Sequence, residues 1–197
     1  MHRAREFFLV CAGVLLAAIV SVGRPGQAEA QGVIVPNGDC GWRWSRDTGG
    51  AAYKSSPAFD DSPWPSGCTP FEAPWAGCAP SGTLLGNGDL LIRRDLFNNG
   101  GPTPAQVYVK GRSFAALFIN GLEGNSWSGG PECYTGVALS QSFVLQPGRN
   151  AVAVSTHFTD PSLGGNGYGG YLDVLITADN PTAVVMKSWG QLKVHYR

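Results

Sequence analysis

The chain has 197 residues and a formal net charge of +0, with 14 basic and 14 acidic residues. Lys and Arg form no run or stripe along it, which argues against nucleic acid and against an anionic membrane surface as partners. Glycine (28) and proline (14) are abundant and charged residues make up only 14%, a mixture typical of many turns between short strands rather than of helices.

The N-terminal segment has the layout of a secretory signal peptide. Arg3 and Arg5 give a positive start, an apolar run extends from Phe7 to Val22, and Ala28-Glu29-Ala30 is a small-x-small cleavage site. An uncleaved membrane anchor is the alternative, which the cleavage site and the short apolar run disfavour. We therefore predict a signal peptide over residues 1–30, a secreted β-sandwich domain over residues 31–180, an extra strand or tail over residues 181–197, and no membrane insertion after cleavage.

Four cysteines remain after such processing, namely Cys40, Cys68, Cys78 and Cys133. An even number in an exported chain predicts two disulfides, for which three connectivities exist. We favour Cys68–Cys78, which closes a short Pro-rich loop, together with Cys40–Cys133, which ties the start of the domain to a later loop. A zinc site is the alternative, but no Cys-x-x-Cys spacing occurs in the sequence.

The first part of the mature chain predicts a strand, a long irregular segment and a second strand. Cys40–Arg46 alternates tryptophans with polar residues, as a half-buried strand does. Tyr53–Pro80 is dense in Pro, Ser and Trp, and an irregular segment of that length inside a domain needs anchoring. A disulfide and buried aromatic side chains would provide it. Leu90–Phe97 is the next predicted strand.

Two apolar runs in the middle of the chain predict a β-hairpin. In Val107–Val109 the two valines fall on one side of the strand and Tyr108 on the other, and Phe114–Ile119 is continuously apolar. Gly111-Arg112-Ser113 separates the runs, and Asn120-Gly121 ends the second one with a dipeptide that tolerates positive φ. The residues that follow, Leu122–Tyr134, are predicted as a loop.

Several shorter strands complete the predicted fold. They are separated by turns such as Gln146-Pro147-Gly148-Arg149, which suits a type II turn. Seven or eight short strands in a secreted chain indicate an all-β protein, an antiparallel β-sandwich or jelly roll. The remaining strands are predicted at Val137–Leu145, Asn150–Phe158 and Tyr171–Thr177, with Ala183–Met186 and Gln191–Tyr196 as short extra strands or tail.

The order of several segments resembles that of the galactose-binding-like jelly-roll modules appended to glycoside hydrolases of the β-galactosidase and β-glucuronidase type. The resemblance spans Trp42 to Thr177 and implies a galactose-binding-domain-like β-sandwich whose ligand class is carbohydrate, either a glycan or a cell-surface polysaccharide. The segments that carry it are FDDSPWP, GCTPF, RRDLF, ALFING, LQPGRNAVAV and GGYLDVLI, in that order.

Sugar binding uses aromatic faces for the C–H faces of a pyranose and amides or carboxylates for its hydroxyls. The loop predicted over Leu122–Tyr134 contains both kinds of group. We predict Trp127 as a stacking platform, although the same residue would also suit a cover over the end of the core. The polar and aromatic contacts predicted around it are Glu123, Asn125 and Tyr134 from this loop and Asp160 from the later Gly-rich loop.

Asp60 and Asp61 offer hard oxygen ligands that suit calcium, so calcium is allowed although no cofactor is required. The alternative is that they start a turn. No Gly-x-Ser-x-Gly, phosphate-loop or His-Glu-x-x-His motif occurs in the sequence. We therefore predict a binding protein and not an enzyme. A structural or assembly protein that packs against other protein chains is the competing interpretation.

Overall fold

A computed structural model describes residues 32–73, 82–111, 114–128, 139–158, 170–179 and 184–185. The predicted signal peptide lies outside these ranges, as do Cys78, Cys133, Tyr134 and Asp160. Within the described ranges, no helix has the length and apolar character that crossing a membrane requires.

The described residues form a β-sandwich with one short helix. Their elements, in chain order, are β1 (Gly32–Val35), β2 (Trp42–Ser45), α1 (Ala51–Lys54), β3 (Ser66–Gly67), β4 (Phe71–Glu72), β5 (Thr83–Leu84), β6 (Gly88–Asn98), β7 (Thr103–Gly111), β8 (Ala115–Ile119), β9 (Leu122–Trp127), β10 (Leu139–Leu145), β11 (Gly148–Phe158), β12 (Tyr171–Ala178) and β13 (Val184–Val185).

Two sheets make up the sandwich. Sheet A has the order β10-β7-β12-β4-β5, with β1 also paired to β12, and sheet B has the order β3-β2-β6-β11-β8-β9, with β13 also paired to β6. Neighbouring strands are antiparallel, except that β4 and β5 are parallel. The predicted all-β antiparallel sandwich is thus confirmed.

The main core lies between the sheets and follows from the alternation of the strands. In β7, for example, Val107 and Val109 are fully buried, whereas Tyr108 between them faces the other side. A smaller cluster lies on the outer face of sheet B. It contains Leu91, Ala116, Phe118 and Ala153, and Ala51 and Trp64 pack over it. All five residues of β8 are buried because both faces of this strand are covered.

The central hairpin predicted from the sequence is wrong. Strand β7 pairs with β10 and β12 in sheet A, whereas β8 pairs with β11 and β9 in sheet B. The two runs therefore pack face to face across the core instead of sharing hydrogen bonds. The Asn120-Gly121 turn does form, with φ of 53° and 86°, but it joins β8 to β9, so the predicted loop begins as a strand.

Both predicted disulfides are also wrong, because Cys40 is bonded to Cys68 with an S–S distance of 2.02 Å. Each sulfur forms one such bond, which excludes Cys68–Cys78 and Cys40–Cys133. The physical reason is strand pairing. Cys40 lies just before β2 and Cys68 just after β3, and Trp42 of β2 pairs with Gly67 of β3, so the two cysteines meet at one end of adjacent strands.

A ring of four charged side chains anchors the segment of residues 51–65 to the outer face of sheet B. Arg93, whose side chain is 0% exposed, contacts Asp61 through Nε at 3.0 Å and Asp95 through Nη2 at 2.7 Å. Arg149 Nη2 closes the ring at 2.6 Å from Asp95 and 3.9 Å from Asp61. The same two arginines donate to backbone carbonyls of that segment, at Lys54, Ser56 and Phe59.

Candidate functional site

A groove of about 440 Å³ lies where the edges of the two sheets approach one another. It is at the end of the sandwich that carries the β8–β9 and β10–β11 turns. Its walls come from β9, the outermost strand of sheet B, and from β10, the outermost strand of sheet A. The lining residues are Ile119, Asn120, Leu122, Glu123, Gln141, Phe143, Val144 and Gln146.

Side-chain hydrogen bonds hold the two walls together. The backbone N–H of Asn125 in β9 donates to Gln141 Oε1 in β10 at 2.7 Å, and Asn125 Nδ2 donates to the Ser140 carbonyl at 3.2 Å. Gly124 permits this approach, since a Cβ there would lie 2.2 Å from Gln141 Oε1. The first bond assigns the amide oxygen of Gln141, so its NH₂ group is a donor held in a fixed position.

Two asparagines join the turns at the end of the groove. Asn120 Nδ2 donates to Asn150 Oδ1 at 3.0 Å, and Asn120 Oδ1 accepts from the Ala151 N–H at 2.8 Å. Asn150, which is fully buried, accepts from the Gln146 N–H at 2.9 Å and donates to the Gln146 carbonyl at 2.8 Å. The backbone that carries Gln146 is therefore fixed, while its side chain is exposed.

The apolar part of the groove includes two exposed aliphatic side chains and one aromatic side chain that packs against the core. Leu122 is 74% exposed and Val144 is 45% exposed. Phe143 is half-buried and packs against the main core from the β10 side. The groove thus combines an aromatic ring and an aliphatic surface with three amide side chains and one carboxylate, the mixture that sugar recognition uses.

The residues predicted for the site are divided between different places in the fold. Glu123 lines the groove, and Asn125 lies beside it and holds Gln141. Trp127 is half-buried and packs against the main core. This position agrees with the alternative interpretation, in which Trp127 covers the end of the core. Its role as a stacking platform stays a prediction.

Tyr134 and Asp160 lie outside the described residues. Their segments connect Trp127 to β10 and Phe158 to β12. The pairing of Thr156 with Ala115, and of Ala115 with Trp127, places both starting points at the end of the sandwich opposite the groove. Their contribution to a binding site stays a prediction.

Asp60 and Asp61 take different roles. The N–H of Ser62 donates to Asp60 Oδ1 at 3.0 Å, which is an Asx turn. Burial and the neighbouring Asp95 raise the pKa of Asp61, and Arg93 and Arg149 oppose that shift. Among the described residues, no group of three or more His, Cys, Asp or Glu is placed to hold a metal. Calcium at this pair stays a prediction.

Sequence reasoning missed Leu122, Gln141, Phe143 and Gln146. Alternation in β10 was the available indication, since Gln141, Phe143 and Leu145 share one face and Ser140, Ser142 and Val144 share the other. That pattern places Gln141 and Phe143 on the core side. It does not reveal that β10 is an edge strand, where the core side is open.

Comparisons with known proteins identify the fold. No model of a protein family matches the chain, and no curated protein matches it. Two solved β-glucuronidase structures from Bacteroides uniformis are similar to it, with TM-scores of 0.51 and 0.50 and 21% identity each. The similarity covers 75% of this chain and 18% of each enzyme chain. The fold is that of the galactose-binding-like jelly-roll modules, as the sequence predicted.

Proposed function

We propose that this protein is a secreted, non-catalytic carbohydrate-binding module whose ligand lies in the groove between β9 and β10. The observation that carries the proposal is the fixed amide of Gln141 beside the apolar surfaces of Leu122 and Phe143. A pyranose has an apolar C–H face and hydroxyls at its rim, so it matches an apolar surface bordered by amides.

Preorganisation supports a binding role for this groove. Gln141 is held by Asn125, and the backbone at Gln146 is held by Asn150, so both positions are ordered before a ligand arrives. Ordering a side chain on binding costs roughly 0.5–1.5 kcal/mol. Because sugars bind weakly, their affinity benefits strongly when the side chains of the site are already ordered in the free protein.

The absence of catalysis is proposed from the lining residues. Glycoside hydrolysis generally uses a pair of carboxylates on either side of the scissile bond. Among the described residues that line the groove, Glu123 is the single acid. Export is supported by the Cys40–Cys68 bond, because disulfides persist in oxidising compartments.

Truncation of the groove is expected to weaken glycan binding without unfolding the protein. Leu122→Ala removes an exposed apolar contact, and Gln141→Ala removes the fixed donor. Each should lower affinity roughly fivefold, or about 1 kcal/mol. A glycan array on the oxidised protein, followed by calorimetry, measures this.

Leu84→Ala is the matched control for the leucine variant, because Leu84 is 63% exposed and lies in β5, away from the groove. It should leave affinity unchanged. Wild-type affinity in both Leu122→Ala and Gln141→Ala would place any sugar site elsewhere, and no glycan bound by the wild type would contradict the proposed function itself.

Gly124→Ala tests the fixed amide from the other wall. The new Cβ would lie 2.2 Å from Oε1 and 2.7 Å from Nε2 of Gln141, so the amide must move away and its bond to Asn125 is lost. We expect roughly three- to tenfold weaker glycan binding and a destabilisation of about 1 kcal/mol. Gly101→Ala is the control, since a Cβ there meets nothing within 4 Å. Equal affinities of the two variants would show that the amide is not used.

An assembly role is the second candidate, and the exposed Leu122 and Val144 favour it. Two exposed apolar side chains on one groove also suit a neighbouring protein chain. Light scattering across a concentration series separates the two functions. A dimer that Leu122→Asp dissociates, with no glycan bound at any concentration, would favour assembly.

A further inference from the structure

An exposed aromatic side chain in α1 belongs to a row of three packed aromatic rings. Tyr53, in α1, is 71% exposed, and its ring meets that of Phe59 edge-on with the centroids 5.5 Å apart. Phe59 contacts Trp64 with a centroid distance of 5.4 Å. Arg93 Cζ lies 5.7 Å from the Phe59 centroid. The Tyr53 ring therefore packs against Phe59, which is itself held by Trp64 and Arg93.

The backbone around Tyr53 is held in place by charged groups. Arg93 donates to the carbonyls of Lys54 and Ser56, the latter at 2.9 Å. Lys54 Nζ lies 2.6 Å from a carboxylate oxygen of Asp47. The helical turn that carries Tyr53 is therefore connected to the buried ring of charges on sheet B, and its backbone is held by the fold.

This helical turn lies against the turn between β8 and β9, whose residues Asn120 and Leu122 line the groove. A Cβ placed on Gly121, in the turn between β8 and β9, would lie 3.5 Å from the Ala52 carbonyl oxygen and 3.7 Å from Ser56 Cα. Glu123 pairs with Phe118, so both side chains lie on the face of sheet B that α1 covers. Glu123, which lines the groove, therefore lies on the same side of sheet B as the helical turn.

We infer that Tyr53 is a second stacking position for the same ligand, and that the ligand is an oligosaccharide rather than a single sugar. This inference rests on the proposed function of the groove. One sugar unit occupies the groove, and a neighbouring unit places its C–H face on the Tyr53 ring. Glu123, which lines the groove, offers an acceptor for hydroxyl groups of the first unit.

The composition around Tyr53 favours a sugar over an apolar protein surface. Lys54, the next residue in the chain, forms an ion pair with Asp47, whose side chain is 75% exposed. Such a polar border would leave charges to be desolvated under an apolar partner. Sugar hydroxyls, by contrast, can hydrogen-bond to these groups while the ring face packs on the tyrosine.

The test measures affinity as a function of chain length. Gluco-, xylo- and galacto-oligosaccharides, each from monosaccharide to hexasaccharide, are titrated into wild type, Tyr53→Ala, Tyr53→Phe and Leu122→Ala. We expect wild-type affinity to rise with length. Tyr53→Ala should lower affinity for the longer sugars about two- to tenfold and leave the monosaccharide unchanged, and Tyr53→Phe should retain the wild-type values.

The outcomes separate this inference from the proposed function. If Leu122→Ala weakens binding and Tyr53→Ala leaves every length unchanged, the second stacking position is wrong and the groove stands. If the wild type binds none of these sugars, both proposals are contradicted. Circular dichroism of each variant establishes that it is folded, and Tyr108→Ala on sheet A is a tyrosine control that should not alter affinity.

Discussion

Arg93→Met should destabilise the protein by about 3–5 kcal/mol, the largest loss we expect from a single substitution here. The guanidinium is fully buried and contacts two carboxylates and two backbone carbonyls. Methionine fills a similar volume but leaves Asp61 without its nearest cation in a buried place. Guanidinium chloride unfolding, followed by tryptophan fluorescence, measures the change in unfolding free energy.

Arg43→Met is the control for this experiment. Arg43 is half-buried on the same sheet and donates to the Trp64 carbonyl and to Ser66 Oγ, and its replacement should cost about 1 kcal/mol. The double variant Arg93→Met/Asp61→Leu removes both charges of one pair and should regain part of the loss. An Arg93→Met variant as stable as Arg43→Met would show that the ring contributes little.

Asn150→Ala is expected to cost about 2–4 kcal/mol and to weaken the groove as well. The side chain is buried and satisfies the N–H and carbonyl of Gln146, the Gly148 carbonyl and the amide of Asn120. Alanine removes four part-buried hydrogen bonds at once, and a donor that stays unpaired costs roughly 1–3 kcal/mol. The unfolding midpoint and glycan affinity should fall together.

Asn37→Ala provides the matched comparison, because Asn37 is exposed and its loss should stay within about 0.5 kcal/mol. The prediction is contradicted if Asn150→Ala keeps the stability of Asn37→Ala. An Asn150→Ala variant with normal stability and weakened glycan binding would also contradict the prediction, because the same hydrogen bonds stabilise the fold and order the groove.

Strand positions were predictable from the sequence because alternation depends on local residues. Val152 and Val154 face the main core from β11, and Ala151 and Ala153 face the other side, as their period of two requires. The turn at Asn120-Gly121 was predictable for the same reason. Both depend on residues within a few positions of one another.

Sheet membership was not predictable in the same way. A Gly-containing break between two apolar runs suits a hairpin and equally suits a crossing from one sheet to the other. The continuous apolar run Phe114–Ile119 was interpreted as a hairpin strand, and the structure shows that the strand within it, Ala115–Ile119, is buried on both faces. What covers its outer face is the segment of residues 51–65, which no local pattern assigns to that place.

The groove and the ring were out of reach because each joins distant parts of the chain. Gln141 and Asn125 meet only after two edge strands are placed side by side. The ring takes Asp61 from one segment of the family resemblance, Arg93 and Asp95 from another and Arg149 from a third. The order of these segments in the sequence predicted the fold. The structure shows that ion pairs connect three of the segments to one another.

Because β9 and β10 are outermost strands of different sheets, the groove lies along the seam of the sandwich. A ligand seated there contacts both sheets at once. The sheets could then separate at this seam only if the ligand lost its contacts with β9 or with β10. A bound ligand would therefore disfavour local opening of the domain. Under the proposed export and glycan binding, a bound sugar would protect this seam from proteases, which attack edges that open transiently.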